Sequence, residues 1–211
     1  MSERSTTAQA FSLDEQQSYF DGLFADSDDP WGFRTRWYEA RKRALTLASL
    51  PAARYESAFE PGCANGELSF ELAARCDKLL VSDGAPAAVA TARERLAPLQ
   101  HVQVLQAWLP QQWPQGAFDL VVVSELAYYL DAATFEAFVA RMRASLRPGG
   151  TVLACHWRRP IAGCMFDGDT VHRAMHAALG LPRLGTTIDA DFRLDVWQDD
   201  ARSIAQREGL A

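Results

Sequence analysis

The chain has 211 residues, of which 48% are hydrophobic and 23% charged. That is enough apolar material for a substantial core without disulfides or a structural metal. Lys and Arg number 21 against 27 Asp and Glu, and the formal net charge of −6 argues against a broad nucleic-acid surface and a polybasic membrane anchor.

No apolar run approaches the roughly 20 residues needed to span a bilayer. The opening MSERSTTAQAF is polar and lacks the apolar centre of a signal peptide. Cys63, Cys76, Cys155 and Cys164 show no CxxC spacing, and His101, His156, His172 and His176 complete no zinc-finger pattern. His172 and His176, four apart, read as a solvated helix face rather than a metal site. A reduced, cytoplasmic protein without a metal is the expectation.

In chain order, residues 1–10 form a Ser/Thr-rich tail expected to be disordered. Residues 11–24 read as a short amphipathic helix with Tyr19, Phe20 and Phe24 on its apolar side. The breakers in DSDDPWGF, residues 26–33, end it. A longer helix over 35–50 stops at Pro51, with Trp37, Ala40, Ala44, Leu45 and Leu47 on the apolar side and Arg36, Arg41, Lys42 and Arg43 on the polar side.

From Tyr55 strand-length apolar runs alternate with helical patterns, the grammar of a parallel sheet with crossover helices. Strands are predicted over 57–60, 78–82, 102–106, 118–124 and 151–155, and helices over 67–76, 86–97, 133–145 and 170–179. FDLVVVS, 118–124, is a continuous apolar run suited to burial on both faces. The helix over 133–145 ends at LRPGG, 146–150, which precedes the fifth strand. Two late strands, 184–188 and 192–198, flank the turn Asp189–Ala190–Asp191, and a weakly helical tail follows.

EPGCANG, 60–66, falls between a strand and a helix, and Asp83 ends the next strand. Gly62 and Gly66 allow a tight turn and close approach of a ligand to the backbone, and a carboxylate at Asp83 suits ribose hydroxyls. The loop is not GxGxxG, which argues against a nicotinamide oxidoreductase, and it lacks GK[ST], which excludes a Walker phosphate loop. It resembles the E/DxGxGxG loop of class I S-adenosylmethionine-dependent methyltransferases, with Ala64 at the middle Gly. An alanine favours negative φ there.

The resemblance extends from about residue 55 to the end, and includes FDLVVVSE and LRPGG. It narrows to the nodulation protein S group through DDPWGFRTRWYEARKRALTLASLP, CHWRRP and FRLDVWQDDARSIAQREGL. It implies an α/β, Rossmann-like sheet of about seven strands, the last antiparallel, with helices on both faces. Residues 11–211 would form one domain, 11–51 a helical cap and 55–211 the catalytic core.

The implied cofactor is S-adenosyl-L-methionine, leaving as S-adenosyl-L-homocysteine. The implied acceptor is an amine or hydroxyl of a small, sugar-containing molecule; nodulation protein S methylates the free amine of a deacetylated chitin oligosaccharide. By the resemblance Glu60, Gly62, Ala64 and Gly66 lie beside the methionine and ribose, Asp83 holds the ribose, and Gly84, Ala107 and Trp108 meet the adenosine. Ser124, Glu125 and Leu126 flank the methyl group. Trp31 comes from the cap, as does an arginine for the cofactor carboxylate, Arg41 with Arg36 as its rival.

Glu125 and His156 end predicted parallel strands, where such folds place their sites, and are the expected proton-handling residues. Tyr128 and Trp157 are expected to wall the acceptor pocket, with Tyr129 closer to core packing.

Overall fold

The computed structural model describes residues 13–211. The tail expected over 1–10, and the first residues of the predicted opening helix, lie outside the described residues. Helix α1, Leu13–Asp26, has Asp14 and Glu15 in its first turn, where the helix dipole favours negative charge. A loop leads to α2, Trp37–Ala48. Then follow β1 Ala58–Pro61, α3 Glu67–Ala73, β2 Leu79–Asp83, α4 Pro86–Leu96, β3 Val102–Gln106 and β4 Phe118–Ser124. A 3₁₀ turn, Ala127–Tyr129, leads into α5 Ala132–Ala144, β5 Leu146–Trp157, α6 Gly168–Leu179, β6 Arg183–Ile188, β7 Phe192–Gln198 and the short α7 Ile204–Arg207.

The seven strands form one sheet in the order β3-β2-β1-β4-β5-β7-β6. Strands β1 to β5 pair in parallel, and β7 inserts antiparallel beside β5 with β6 at the edge. The period-two alternation of strands sends neighbouring residues to opposite faces. Val121, Val123, Val152 and Ala154 join one core with Phe138, Met142, Val171 and Met175 of α5 and α6. Leu120, Val122, Leu153 and Cys155 join the other with Leu72 of α3 and Ala92 and Leu96 of α4. The expected doubly covered sheet with an inserted antiparallel strand is what the chain forms.

LRPGG does not precede the fifth strand. It belongs to β5, which starts at Leu146: Phe118 pairs with Leu146 and Leu120 with Thr151, so the intervening residues bulge out of register. Pro148 and Gly149, the latter at φ +75°, suit a bulge that withdraws from the ladder.

The predicted faces of α2 need correcting. Trp37 is 77% exposed, whereas Lys42 is only 5% exposed. Glu39, Lys42 and Thr46 are the buried residues of this helix. They recur at helical spacing on one stripe, and Trp37, two residues before Glu39, is turned about 200° away from it. The stripe is polar because Lys42 on it pairs with Glu39 one turn before and with Glu125 after β4.

The cap is tied to the sheet by local chemistry. Asp29 accepts hydrogen bonds from the amides of Phe33 at 2.7 Å and Arg34 at 3.1 Å, and from the Asn65 side chain at 3.0 Å. Trp31 stacks on Phe33 and meets Phe24 edge-on, with ring centroids 5.4 and 5.6 Å apart. Phe24 packs against Ala85 and Ala88 at the start of α4. Among the described residues no helix is long and apolar enough to cross a membrane.

Candidate active site

The loop after β1 turns tightly because three backbone positions, Gly62, Ala64 and Gly66, are left-handed. Gly62 has φ +73°, and a Cβ there would come within 3.2 Å of Leu126. Ala64, expected at negative φ, sits instead at φ +49°. That conformation costs an L-residue roughly 1–2 kcal/mol. Asp83 helps to offset it: one carboxylate oxygen accepts the Ala64 amide at 2.9 Å and the other the Ala85 amide at 3.0 Å. The Gly62 and Cys63 amides donate to the Ser82 carbonyl at 2.7 and 2.9 Å. Burial raises the Asp83 carboxyl above its ordinary range, and the Ala64 and Ala85 amides pull it back.

Between this loop, the carboxyl ends of β2 and β4 and the cap lies a cavity of about 550 Å³. It brings together Trp31, Glu60, Gly62, Ala64, Asp83, Gly84, Ala107, Trp108, Ser124, Glu125, Leu126, Tyr128 and Trp157 from the sequence reading. Gly66 stands behind the loop as the left-handed N-cap of α3, outside the lining. Gly84 must lack a side chain, since a Cβ would fall 2.4 Å from the Trp108 indole. Glu60 is 2% exposed, and its Oε2 has no hydrogen-bond partner among the described residues. Burial pushes its carboxyl up to about 8.

Of the two arginines considered for the cap, Arg36 lines the cavity. Its side chain lies over Gly32, where a Cβ would be 2.9 Å from Nε, and it makes no ion pair or side-chain hydrogen bond among the described residues. Arg41 is on another side of the helix and pairs with Asp189 of the β6–β7 turn at 2.8 Å. It does not line the cavity.

Glu125 follows β4 at φ +53°, a strained conformation of the kind found at functional sites. Its carboxylate is heavily engaged. Oε1 accepts Lys42 Nζ at 2.7 Å, while Oε2 accepts the Tyr128 hydroxyl at 2.5 Å and the Trp157 amide at 2.8 Å. Three of roughly four lone-pair sites are used. Lys42 also pairs with Glu39 at 3.0 Å and lies 5.1 Å from the centroid of the Tyr38 ring. Burial works against the Lys42 charge, but Glu125 and Glu39 outweigh it and hold the ammonium above its ordinary range. Tyr38, Glu39 and Lys42 all line the cavity and had been passed over. The legible signal was a Glu, a Lys and a Thr at i, i+3 and i+7 on one helix stripe.

His156 is not in the cavity. It is 0% exposed, and its Nε2 accepts the Ala127 amide at 3.2 Å. Its Nδ1 lies 3.1 Å from His172 Nε2, and His172 Nδ1 lies 2.8 Å from Asp195. The ends of this chain set its tautomers. An amide can only donate and a carboxylate only accept, so both rings are neutral and each passes a hydrogen bond towards Asp195. Burial holds His156 and His172 below the usual imidazole range. The chain ends on the Ala127 amide, two residues after Glu125. The expectation of a solvated helix face also fails: His172 is fully buried, and His176 accepts the Trp197 indole N–H at 3.0 Å. Among the described residues no group of three or more His, Cys, Asp or Glu is placed to hold a metal ion.

The family model described as nodulation protein S (NodS) matches residues 17–175, more than half of the chain. The chain belongs to the nodulation protein S family. Nodulation protein S of Sinorhizobium fredii (strain NBRC 101917 / NGR234) is 34% identical over 126 residues, 59% of this chain and 58% of that protein. The Bradyrhizobium diazoefficiens nodulation protein S is 32% identical over 128 residues, 60% of this chain and 61% of that protein. The chain thus spans less than two thirds of these family members. Among solved structures, a Pseudomonas syringae protein described as a candidate methyltransferase is 51% identical, with a TM-score of 0.71, over 77% of this chain and 99% of that one. The N-methyltransferase NodS from Bradyrhizobium japonicum WM9, solved with S-adenosyl-L-homocysteine, shares the fold at a TM-score of 0.74 and 24% identity, over 86% of this chain and 97% of that one.

Proposed function

We propose that the chain is an S-adenosyl-L-methionine-dependent methyltransferase acting on an amine or hydroxyl of a small, sugar-containing acceptor. The observation that carries this reading is the buried Glu60 carboxyl, one oxygen of which has no partner among the described residues, beside the left-handed glycine loop and Asp83, all on one cavity. These residues fit the cofactor. Glu60 would receive its ammonium and Arg36 its carboxylate, Asp83 the ribose hydroxyls, and Gly84, Ala107 and Trp108 the adenine. Ser124, Leu126 and Gly62 would line the methionine end, with Trp31 closing the site from the cap.

When bound, the cofactor supplies an electrophilic methyl on a sulfonium; its C–S bond breaks as the acceptor atom takes the methyl. The chain contributes alignment and exclusion of water. Trp157 and Tyr128 offer aromatic surface to a sugar ring. Glu39 and Glu125 outnumber Lys42 by one charge, which favours a cationic amine over a neutral hydroxyl. Glu125, already accepting three hydrogen bonds, anchors and shapes the acceptor end. His156 does not touch the acceptor, and the proton lost by an amine goes to water. Four free, buried cysteines and a net charge of −6 support a reduced cytoplasmic setting and a small-molecule rather than nucleic-acid partner.

The reading is tested by incubation with S-adenosyl-L-methionine and a panel of amino sugars, deacetylated chitin oligosaccharides and their N-acyl forms, with S-adenosyl-L-homocysteine as readout. Turnover of free amines but not N-acyl forms is expected. No turnover, together with tighter binding of NAD than of S-adenosyl-L-homocysteine, would overturn it.

The raised Glu60 carboxyl adds a pH signature. Below about pH 8 the free protein holds the Glu60 proton, whereas the ligand's ammonium calls for the carboxylate. Binding therefore releases a proton, and affinity for S-adenosyl-L-homocysteine rises with pH by up to about tenfold per unit between about pH 6 and 7.5. Calorimetry in buffers of different ionisation enthalpy measures that proton, and Glu60→Gln should abolish both it and the slope.

A further inference from the structure

We infer that the Tyr38 hydroxyl is an acceptor-recognition group that donates a hydrogen bond to an oxygen of the acceptor. The inference rests on the methyltransferase reading and adds to it a residue that decides which acceptors are held. Tyr38 comes from α2 and lines the cavity. Its ring meets Trp157 edge-on at 5.8 Å and Phe192 at 6.3 Å, which fixes its plane. Lys42, whose ammonium approaches the Tyr38 ring, bonds to Glu125, and Trp157 donates its amide to the same carboxylate. Tyr38, Trp157, Lys42 and Glu125 are therefore one cluster on the wall of the cavity.

Within that cluster the charged groups are paired. Glu125 is met by three donors, and Lys42 by two carboxylates. The Tyr38 hydroxyl oxygen is buried and has no hydrogen-bond partner among the described residues. A buried hydroxyl left unpaired is costly, so one on a residue that lines a cavity points to a ligand that satisfies it. Burial keeps the phenol protonated, leaving it a donor. An ammonium on the acceptor would be drawn to Glu39 or Glu125, whereas a hydroxyl or ring oxygen suits the phenol. The acceptor so described carries at least one oxygen near the methylated atom and one face for Trp157.

Tyr38→Phe separates this from a structural role. A hydroxyl used in the fold would be missed by the free protein; one kept for a ligand would not, and removing it relieves an unpaired group. The expected results for Tyr38→Phe are an unchanged or higher Tm and an unchanged S-adenosyl-L-homocysteine affinity. Affinity of the protein–S-adenosyl-L-homocysteine complex for a deacetylated chitin oligosaccharide, by calorimetry, should fall about tenfold, and kcat/KM with it. A lowered Tm would make the hydroxyl structural and overturn the proposal, as would acceptor affinity within twofold of wild type. Failure of the oligosaccharide to bind a wild-type complex that does hold S-adenosyl-L-homocysteine would overturn it while leaving the methyltransferase reading intact. Failure of S-adenosyl-L-homocysteine itself to bind would remove both.

Discussion

Replacing Lys42 with Met should lower the free energy of unfolding by about 3–5 kcal/mol, the cost of leaving a buried ion cluster without its counterion. Met keeps the length and apolar stem of Lys, so little packing is lost. What disappears is the ammonium between Glu39 and Glu125, at 3.0 and 2.7 Å. Two carboxylates then face each other in a site where Glu39 is buried. Urea unfolding of Lys42→Met, Glu125→Gln and the double variant gives the coupling directly. The double variant should recover part of the loss, since it removes a charge that the single variant strands. The sign with pH follows from the raised Lys42 value. Its stabilisation is complete below the ordinary lysine value and is lost only as alkali strips the ammonium in the folded state. A Lys42→Met protein as stable as wild type would mean that the cluster is held by something other than charge.

Asp195→Asn should be comparably severe, about 3 kcal/mol or more. Asp195 is 0% exposed and anchors the buried chain that runs through His172 and His156 to the Ala127 amide. It also accepts Thr186 Oγ1 at 2.5 Å and Arg193 Nε at 2.8 Å. Burial alone would raise its carboxyl, but the bonds from His172 and Thr186 bring it down to about 2. An amide at this position supplies one acceptor where the carboxylate supplied two, and turns a donor towards groups that already donate.

The same chain gives wild type a pH profile. Folded His156 and His172 resist protonation while the unfolded chain takes protons near the ordinary imidazole value. The unfolded state then binds more protons, so stability falls with acid below about pH 6.5, by roughly 1.4 kcal/mol per unit for each ring. Asp169 and Arg193 lie around His172, and Lys42 acts with His172 on His156. Glu60 opposes the trend: it keeps its proton in the fold, so it favours the folded state as pH drops from about 8. Chemical unfolding between about pH 5 and 7 in a Glu60→Gln background isolates the histidines. A flat profile there would show that they carry no such linkage.

Much of the fold was legible because the sheet is written locally. FDLVVVS is apolar on both sides of the pleat, and EPGCANG followed by a helix, a strand and Asp83 can hardly be arranged otherwise than as a strand–loop–helix–strand unit. The cavity's cofactor end followed from that order. Its other end did not, because apolar periodicity detects the side of a helix that faces oil. On α2 the inward stripe of Glu39, Lys42 and Thr46 carries charges that pair with one another and with Glu125, so the pattern pointed Trp37 inward when it points out. Ala64 was misread for a related reason: propensity disfavours a left-handed alanine, but the Asp83 carboxylate, 19 residues away, holds its amide in place. His156 sits at a strand end as catalytic groups do, yet its partners come from α6 and β7, whose side chains no local pattern brings together.

The most direct test of the account is a calorimetric titration of S-adenosyl-L-homocysteine into wild type and Asp83→Ala. Asp83 supports the loop amides of Ala64 and Ala85 and, on this account, the ribose hydroxyls. Wild type should bind one equivalent with a Kd in the low micromolar range or tighter, on the order of −8 kcal/mol. Asp83→Ala should weaken that by roughly 1.5–3 kcal/mol, as charge-assisted hydrogen bonds are lost. Wild type that binds no S-adenosyl-L-homocysteine, or an Asp83→Ala protein that binds it as tightly as wild type, would contradict the account.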